Sequence, residues 1–150
     1  MKITLAKALK LKNRLVAELT KIRQQEVQFN VVHPQKQPLV DVLALRNEED
    51  VILNKLIELK TALALATAPI SGLLISLAEH KSKILHFTSI PYDSNFSVRD
   101  TNGGHYYESG NPQLSKQTLD ELVKATQNKI DELQDAIDEY NSSTKIEIAD

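Results

Sequence analysis

The 150-residue chain has no cysteine and no tryptophan, one methionine and only four glycines. Without cysteine there is no disulfide, no thiol nucleophile and no thiolate metal site. Aromatic residues are scarce, with four tyrosines and three phenylalanines. Neither sign of charge dominates, since 18 Lys and Arg stand against 20 Asp and Glu and the sequence pI is about 6.1. That balance argues against a nucleic-acid protein driven by bulk charge. The longest mostly apolar stretch, Leu63 to Leu77, is interrupted by Pro69 and is too short to span a bilayer. The opening "MKITLAKALKLKNRLV" is broken by Lys7, Lys10, Lys12 and Arg14, so it does not read as a targeting segment. A soluble cytoplasmic protein of one domain is the expectation, long enough to bury a core without staples.

Catalytic motifs are missing as well. There is no Gly-x-Ser-x-Gly elbow and no Walker loop. The four histidines (His33, His80, His86, His105) show none of the spacings that helical metal sites use. The paired acids Asp120-Glu121, Asp131-Glu132 and Asp138-Glu139 are sequence neighbours, which do not face each other on a helix. They read as a solvated face. The sequence therefore assigns no catalytic residue, no metal ligand and no cofactor.

What the chain does have is helical periodicity. Thr4 is an N-cap candidate for a helix over about 5–29, with Leu5, Ala8, Leu9, Leu15, Leu19, Ile22 and Phe29 on one face. Residues 31–40, "VVHPQKQPLV", read as a connector. A second helix starts between Asp41 and Asn47 and is placed at about 47–67, with Asn47 as cap and "EED" in its first turn. It carries Ile52, Leu53, Leu56, Ile57, Leu59, Leu63 and Ala66, and Pro69 is expected to end it. Ser71 then caps a third helix over about 71–88. The last helix, about 115–141, opens on a capping box at Thr118–Glu121. Leu119, Val123, Thr126, Ile130, Leu133, Ile137 and Tyr140 recur along it at steps of four and three, a heptad seam for the core or an oligomer.

Residues 89–113 break this pattern. Three of the four glycines (Gly103, Gly104, Gly110) and four of the seven aromatics (Tyr92, Phe96, Tyr106, Tyr107) fall here. "FSVRD-TNGG-HYYES" predicts strand, tight turn, strand, with Asn102-Gly103 suited to a type I′ turn. The fold class predicted is thus mainly α: an elongated antiparallel helical bundle, coiled-coil-like, with a small β-hairpin over about 95–109 between helices 3 and 4. Arg99, His105, Tyr106, Tyr107 and Glu108 on this insert are the candidate ligand or interface residues. They mix donors, acceptors and ring faces on a loop-like element.

Charge is sorted along the chain. Lys2–Phe29 holds seven basic residues against two acidic ones, and Ser115–Asn141 holds three against seven. These are either two solvated faces or two neighbours, within a chain or between chains.

Three stretches are similar to the septicolysin-like family of small bacterial helical proteins. "MKITLAKALKLKNRL" resembles its opening, residues 51–88 its helix–break–helix order, and "LSKQTLDELVKATQNKIDELQDAIDEYNSSTKIEI" its closing helix and tail. The chain departs from that pattern at Lys7 (an acid in the family), at Ser142 (an aromatic) and over 92–112. The resemblance implies a helical fold and supplies no catalytic residues. The family name implies a cytolysin.

The reading that follows is a non-enzymatic oligomeric helical assembly or binding protein, with a homo-oligomer as the expected partner. One alternative is a small-molecule binder whose insert closes over an anionic or aromatic ligand through Arg99 and Tyr106 or Tyr107. Another is a membrane-surface protein acting through the basic first helix, or a cytolysin-like one, although neither a membrane nor a nucleic acid is the expected partner.

Overall fold

The computed structural model describes residues 1–148. The chain is mostly helical, with two small antiparallel strand pairs. In order, it comprises β1 (Lys2–Thr4), α1 (Leu5–Phe29), α2 (Val42–Thr67), a 3-10 turn (Ala68–Ile70), α3 (Ser71–Ser89), β2 (Asn95–Arg99), β3 (His105–Ser109), α4 (Lys116–Ser143) and β4 (Lys145–Glu147). It divides into two compact units. Among the described residues, one comprises 1–70 with 138–148, and the other comprises 71–137.

In the first unit, the Thr4 hydroxyl accepts from the Lys7 amide at 3.3 Å and starts α1. Leu5, Ala8, Leu15, Leu19 and Ile22 are buried along one stripe of α1. They meet Ile52, Leu56, Leu59 and Leu63 of α2, whose stripe has the same three- and four-residue spacing. The two helices run antiparallel. Arg23 pairs with Glu49, while Leu15 lies across from Leu59 further along. The ends of the described chain close this unit. Strand β1 pairs with β4 in the register Ile3↔Ile146, and Ile146 is buried in the α1–α2 core. Met1 and Ile148 exchange two hydrogen bonds, and the Leu5 amide donates to the Thr144 carbonyl at 2.9 Å. The Tyr140 hydroxyl donates to the Ala66 carbonyl at 2.8 Å and ties the last turns of α4 to α2.

Several local expectations are corrected. Helix α2 begins at Val42 and not near 47, because the Asp41 carboxylate accepts from the Ala44 amide at 3.1 Å and caps it. Asn47 is inside the helix, and Glu48, Glu49 and Asp50 are therefore not first-turn acids. The end of α2 agrees with the expectation, at Thr67 just before Pro69, but the chain stays helical as a 3-10 turn at Ala68–Ile70, and α3 starts with Ser71 as its first residue. A proline lacks one amide donor and crowds the preceding turn, and three residues of 3-10 geometry absorb that. Leu63, Ala66, Ile70, Leu73 and Leu77 keep their three- and four-residue phase through it. Ser115, and not Thr118, caps α4, with its hydroxyl accepting from the Thr118 amide at 3.1 Å.

In the second unit, Ile84 and Leu85 of α3 and Gln127 and Ile130 of α4 line one cleft. Leu77, Leu119, Thr126, Ile130, Leu133 and Ile137 are buried. Between the two helices, β2 and β3 pair antiparallel with Val98↔Tyr106 at the centre. Their turn differs from the type I′ expectation, because Asn102 does not take a positive φ. The Gly103 amide donates to the Asp100 carbonyl at 3.0 Å, Gly103 alone has positive φ (84°), and the Asp100 amide donates to the Gly104 carbonyl at 2.7 Å. With two glycines available, the single left-handed residue falls at Gly103, and the loop closes as a turn plus bulge.

Candidate functional site

The strand register divides the sequence-predicted insert residues into two groups. Side chains alternate across a strand. Arg99 and His105 are direct cross-strand partners and share a face with Ser97 and Tyr107. Tyr106 and Glu108 point to the opposite face, with Val98 and Phe96. The five candidates therefore do not converge on one point. All are exposed, Tyr107 by 75 %. A cleft of about 110 Å³ lies at the base of the hairpin, formed by residues such as Tyr92, Phe96 and Gly110. It contains none of the five. The hairpin's base is well defined: the Gly110 amide donates to the Ser94 carbonyl at 2.6 Å, and the Phe96 ring lies where a Cβ on Gly110 would be, 2.6 Å from that position.

The seam residues fare differently. Leu119, Ile130, Leu133 and Ile137 are buried, and Val123 and Tyr140 are half-buried. The acid pairs of α4 are exposed, as a solvated face requires. Among the described residues, no group of three His, Asp or Glu side chains is arranged to hold a metal ion.

Two features of the first unit were not read from the sequence. One is an ion cluster. Glu49 is buried, its carboxylate accepting from the Arg23 guanidinium at 2.6 Å and from Arg46, which also reaches Asp50 at 3.4 Å. The hydrogen bond from Arg23 holds the Glu49 carboxyl below its usual range, aided by the Arg46 charge and opposed by burial. The available signal was the position of Glu49, three residues before Ile52 on the buried stripe. An acid on such a stripe needs a partner.

The other feature is a cleft of about 610 Å³ along one side of the α1–α2 pair. Its floor is apolar, with Leu11, Leu15, Leu59 and Ala62. Val51 and the charged side chains Arg14, Lys55, Glu58 and Glu147 also line it. The sequence signal was a second stripe beside the buried one, at residues 51, 55, 58 and 62.

The helical residues 42–89 contain an 18-residue window of mean hydropathy 1.8, of which only 11 % is buried. By length and composition it could cross a membrane, because the helical run is not cut at Pro69. Ile57, Leu65, Ile75 and Leu85 are among its uncovered or neighbouring apolar side chains, Leu65 with 74 % of its surface exposed.

No family model matches the chain, and no curated protein matches it. A solved structure does. It is a functionally unknown conserved protein from Corynebacterium diphtheriae, similar with a TM-score of 0.67 at 13 % sequence identity, over 98 % of this chain and 100 % of that one. At that identity the likeness is one of fold alone.

Proposed function

We propose that the protein is a non-enzymatic assembly module, a homo-oligomer built from antiparallel, coiled-coil-like helix pairs in an elongated bundle. The observation that carries this reading is the uncovered apolar surface of residues 42–89. Each helix buries one narrow seam within its unit, yet apolar side chains such as Ile57, Leu65 and Ile75 lie outside it. A stripe wider than two helices can cover is stabilised by further helices. The basic first segment and the acidic last one give copies complementary charge, which selects partner and direction more than it adds affinity. The exposed hairpin, with its Tyr and Arg side chains, is a further contact surface in this reading. The resemblance to the septicolysin-like family implies a helical fold and assigns no residue a role.

Native mass spectrometry of the full chain, with light scattering across the micromolar range, tests the reading. A defined oligomer without added mass is the expected result. A monomer at every concentration would overturn it. A monomer retaining a small molecule would replace it with the ligand-binding alternative, and a monomer that co-sediments with anionic vesicles would replace it with the membrane-surface alternative.

A further inference from the structure

The geometry of the α1–α2 cleft points to its occupant: we infer that a second copy of this chain packs its α2 there, about a twofold axis between Lys55 and Glu58. The inference rests on the assembly reading above and names the surface that would serve it.

Val51, Lys55, Glu58 and Ala62 follow at steps of four, three and four, which puts them on one stripe of α2. All four line the 610 Å³ cleft. Read in either direction, the stripe is apolar, charged, charged, apolar, and the two charges are opposite in sign. Antiparallel pairing of two such stripes is therefore self-complementary. Each Lys55 lies against Glu58 of the second copy, and each Val51 lies against Ala62 of the second copy. A twofold contact requires this property, since the same patch must fit itself. Val51 is 55 % exposed, and Lys55 and Glu58 are exposed. Neither charge forms an ion pair among the described residues, although they are three apart on one helix. The small Ala62 side chain lets a second helix come close, at the 8–10 Å typical of packed helices.

The other charges of the cleft fit the same occupant. Arg14 on α1 and Glu147 on β4 add one side chain of each sign, so the side-chain charges of the rim balance, and the amino group of Met1, which donates to the Ile148 carbonyl, is a further charge beside it. A rim of both signs over an apolar floor suits a helix that carries both charges. Surface pairs of this kind add little energy each, but like charges in register oppose association, which fixes the direction of the second helix.

The test is a charge-swap cycle by sedimentation equilibrium on the full chain: wild type, Lys55→Glu, Glu58→Lys and the double variant. Each single reversal sets two like-charge pairs into one dimer, and about tenfold weaker dimerisation is expected. The double variant restores opposite charges at both places, and dimerisation near the wild-type value is expected. Both side chains are exposed, so helix content by circular dichroism stays constant and separates a lost contact from a lost fold. Single variants that dimerise as wild type does would overturn this surface and leave the assembly reading standing. So would a double variant no better than the singles. A wild type that is monomeric throughout would overturn both.

Discussion

Leu56 and Ile57 are neighbours on α2 with opposite fates. Leu56 has 4 % of its surface exposed and Ile57 has 53 %. Both belong to the apolar set from which the sequence builds the second helix, so a truncation of each separates the seam from the rest. Leu56→Ala removes three carbons from the α1–α2 core. At about 0.8 kcal/mol per buried methylene, the transfer loss is about 2.4 kcal/mol. A residual cavity would add to this, as in deep cores. Here the seam lies between two helices of its unit and close to water, so much of the space can close. A loss of about 2–3 kcal/mol is expected, and at about 2–4 °C per kcal/mol for a chain of this length the midpoint falls by about 4–12 °C. Ile57→Ala should lose less than half as much. The assay is thermal and guanidinium unfolding followed by circular dichroism, with all proteins at one concentration because association also shifts the midpoint. A Leu56→Ala loss below about 1 kcal/mol, or equal losses for the two variants, would refute the assignment of the seam.

Three further outcomes are expected. Tyr140→Phe removes the hydroxyl that donates to the Ala66 carbonyl and should cost about 0.5–1.5 kcal/mol by urea unfolding, whereas an unchanged midpoint would mean the bond is replaced by water. Gly110→Ala sets a Cβ against the Phe96 ring; faster amide exchange in residues 95–109, with unchanged exchange in α1, is the predicted signature in hydrogen-exchange measurements. Glu49 is held ionised below the usual carboxyl range by Arg23 first and Arg46 second. Its folded-state pKa is therefore below the unfolded value, so its contribution is complete above the unfolded pKa and is lost as pH falls through the folded one. The acid limb of stability against pH, from about pH 5 downward, should flatten in Glu49→Gln, and parallel limbs for the two proteins would contradict the cluster.

The sequence by itself determined the features that depend on near neighbours. Thr4 caps α1 because the amide it satisfies is only three residues away. The spacing of Leu119, Ile130, Leu133 and Ile137 specifies a face of α4 whatever lies against it. Asn102, Gly103 and Gly104 mark a chain reversal, since only a glycine takes the left-handed position without strain. The structure places that residue at Gly103 and not at Asn102, with the Asp100 carbonyl accepting from the Gly103 amide.

Tertiary structure decided whatever depends on distant partners. Glu49 stands on the buried stripe with Arg46 three residues before it, but only the tertiary structure brings Arg23, 26 positions earlier, to its carboxylate. Strands β1 and β4 are too short to be stable alone, and they form because Ile3 meets Ile146 from the other end of the chain. Pro69 stops a helix by the local rule, yet the buried spacing on either side of it keeps phase and the helical run resumes. Leu56 and Ile57 look alike in the sequence, and only the position of α1 buries one and exposes the other. A periodic sequence can say that a helix has an apolar side, but the width of that side exceeds what one neighbour covers, and which part is covered is settled by the packing of the whole chain.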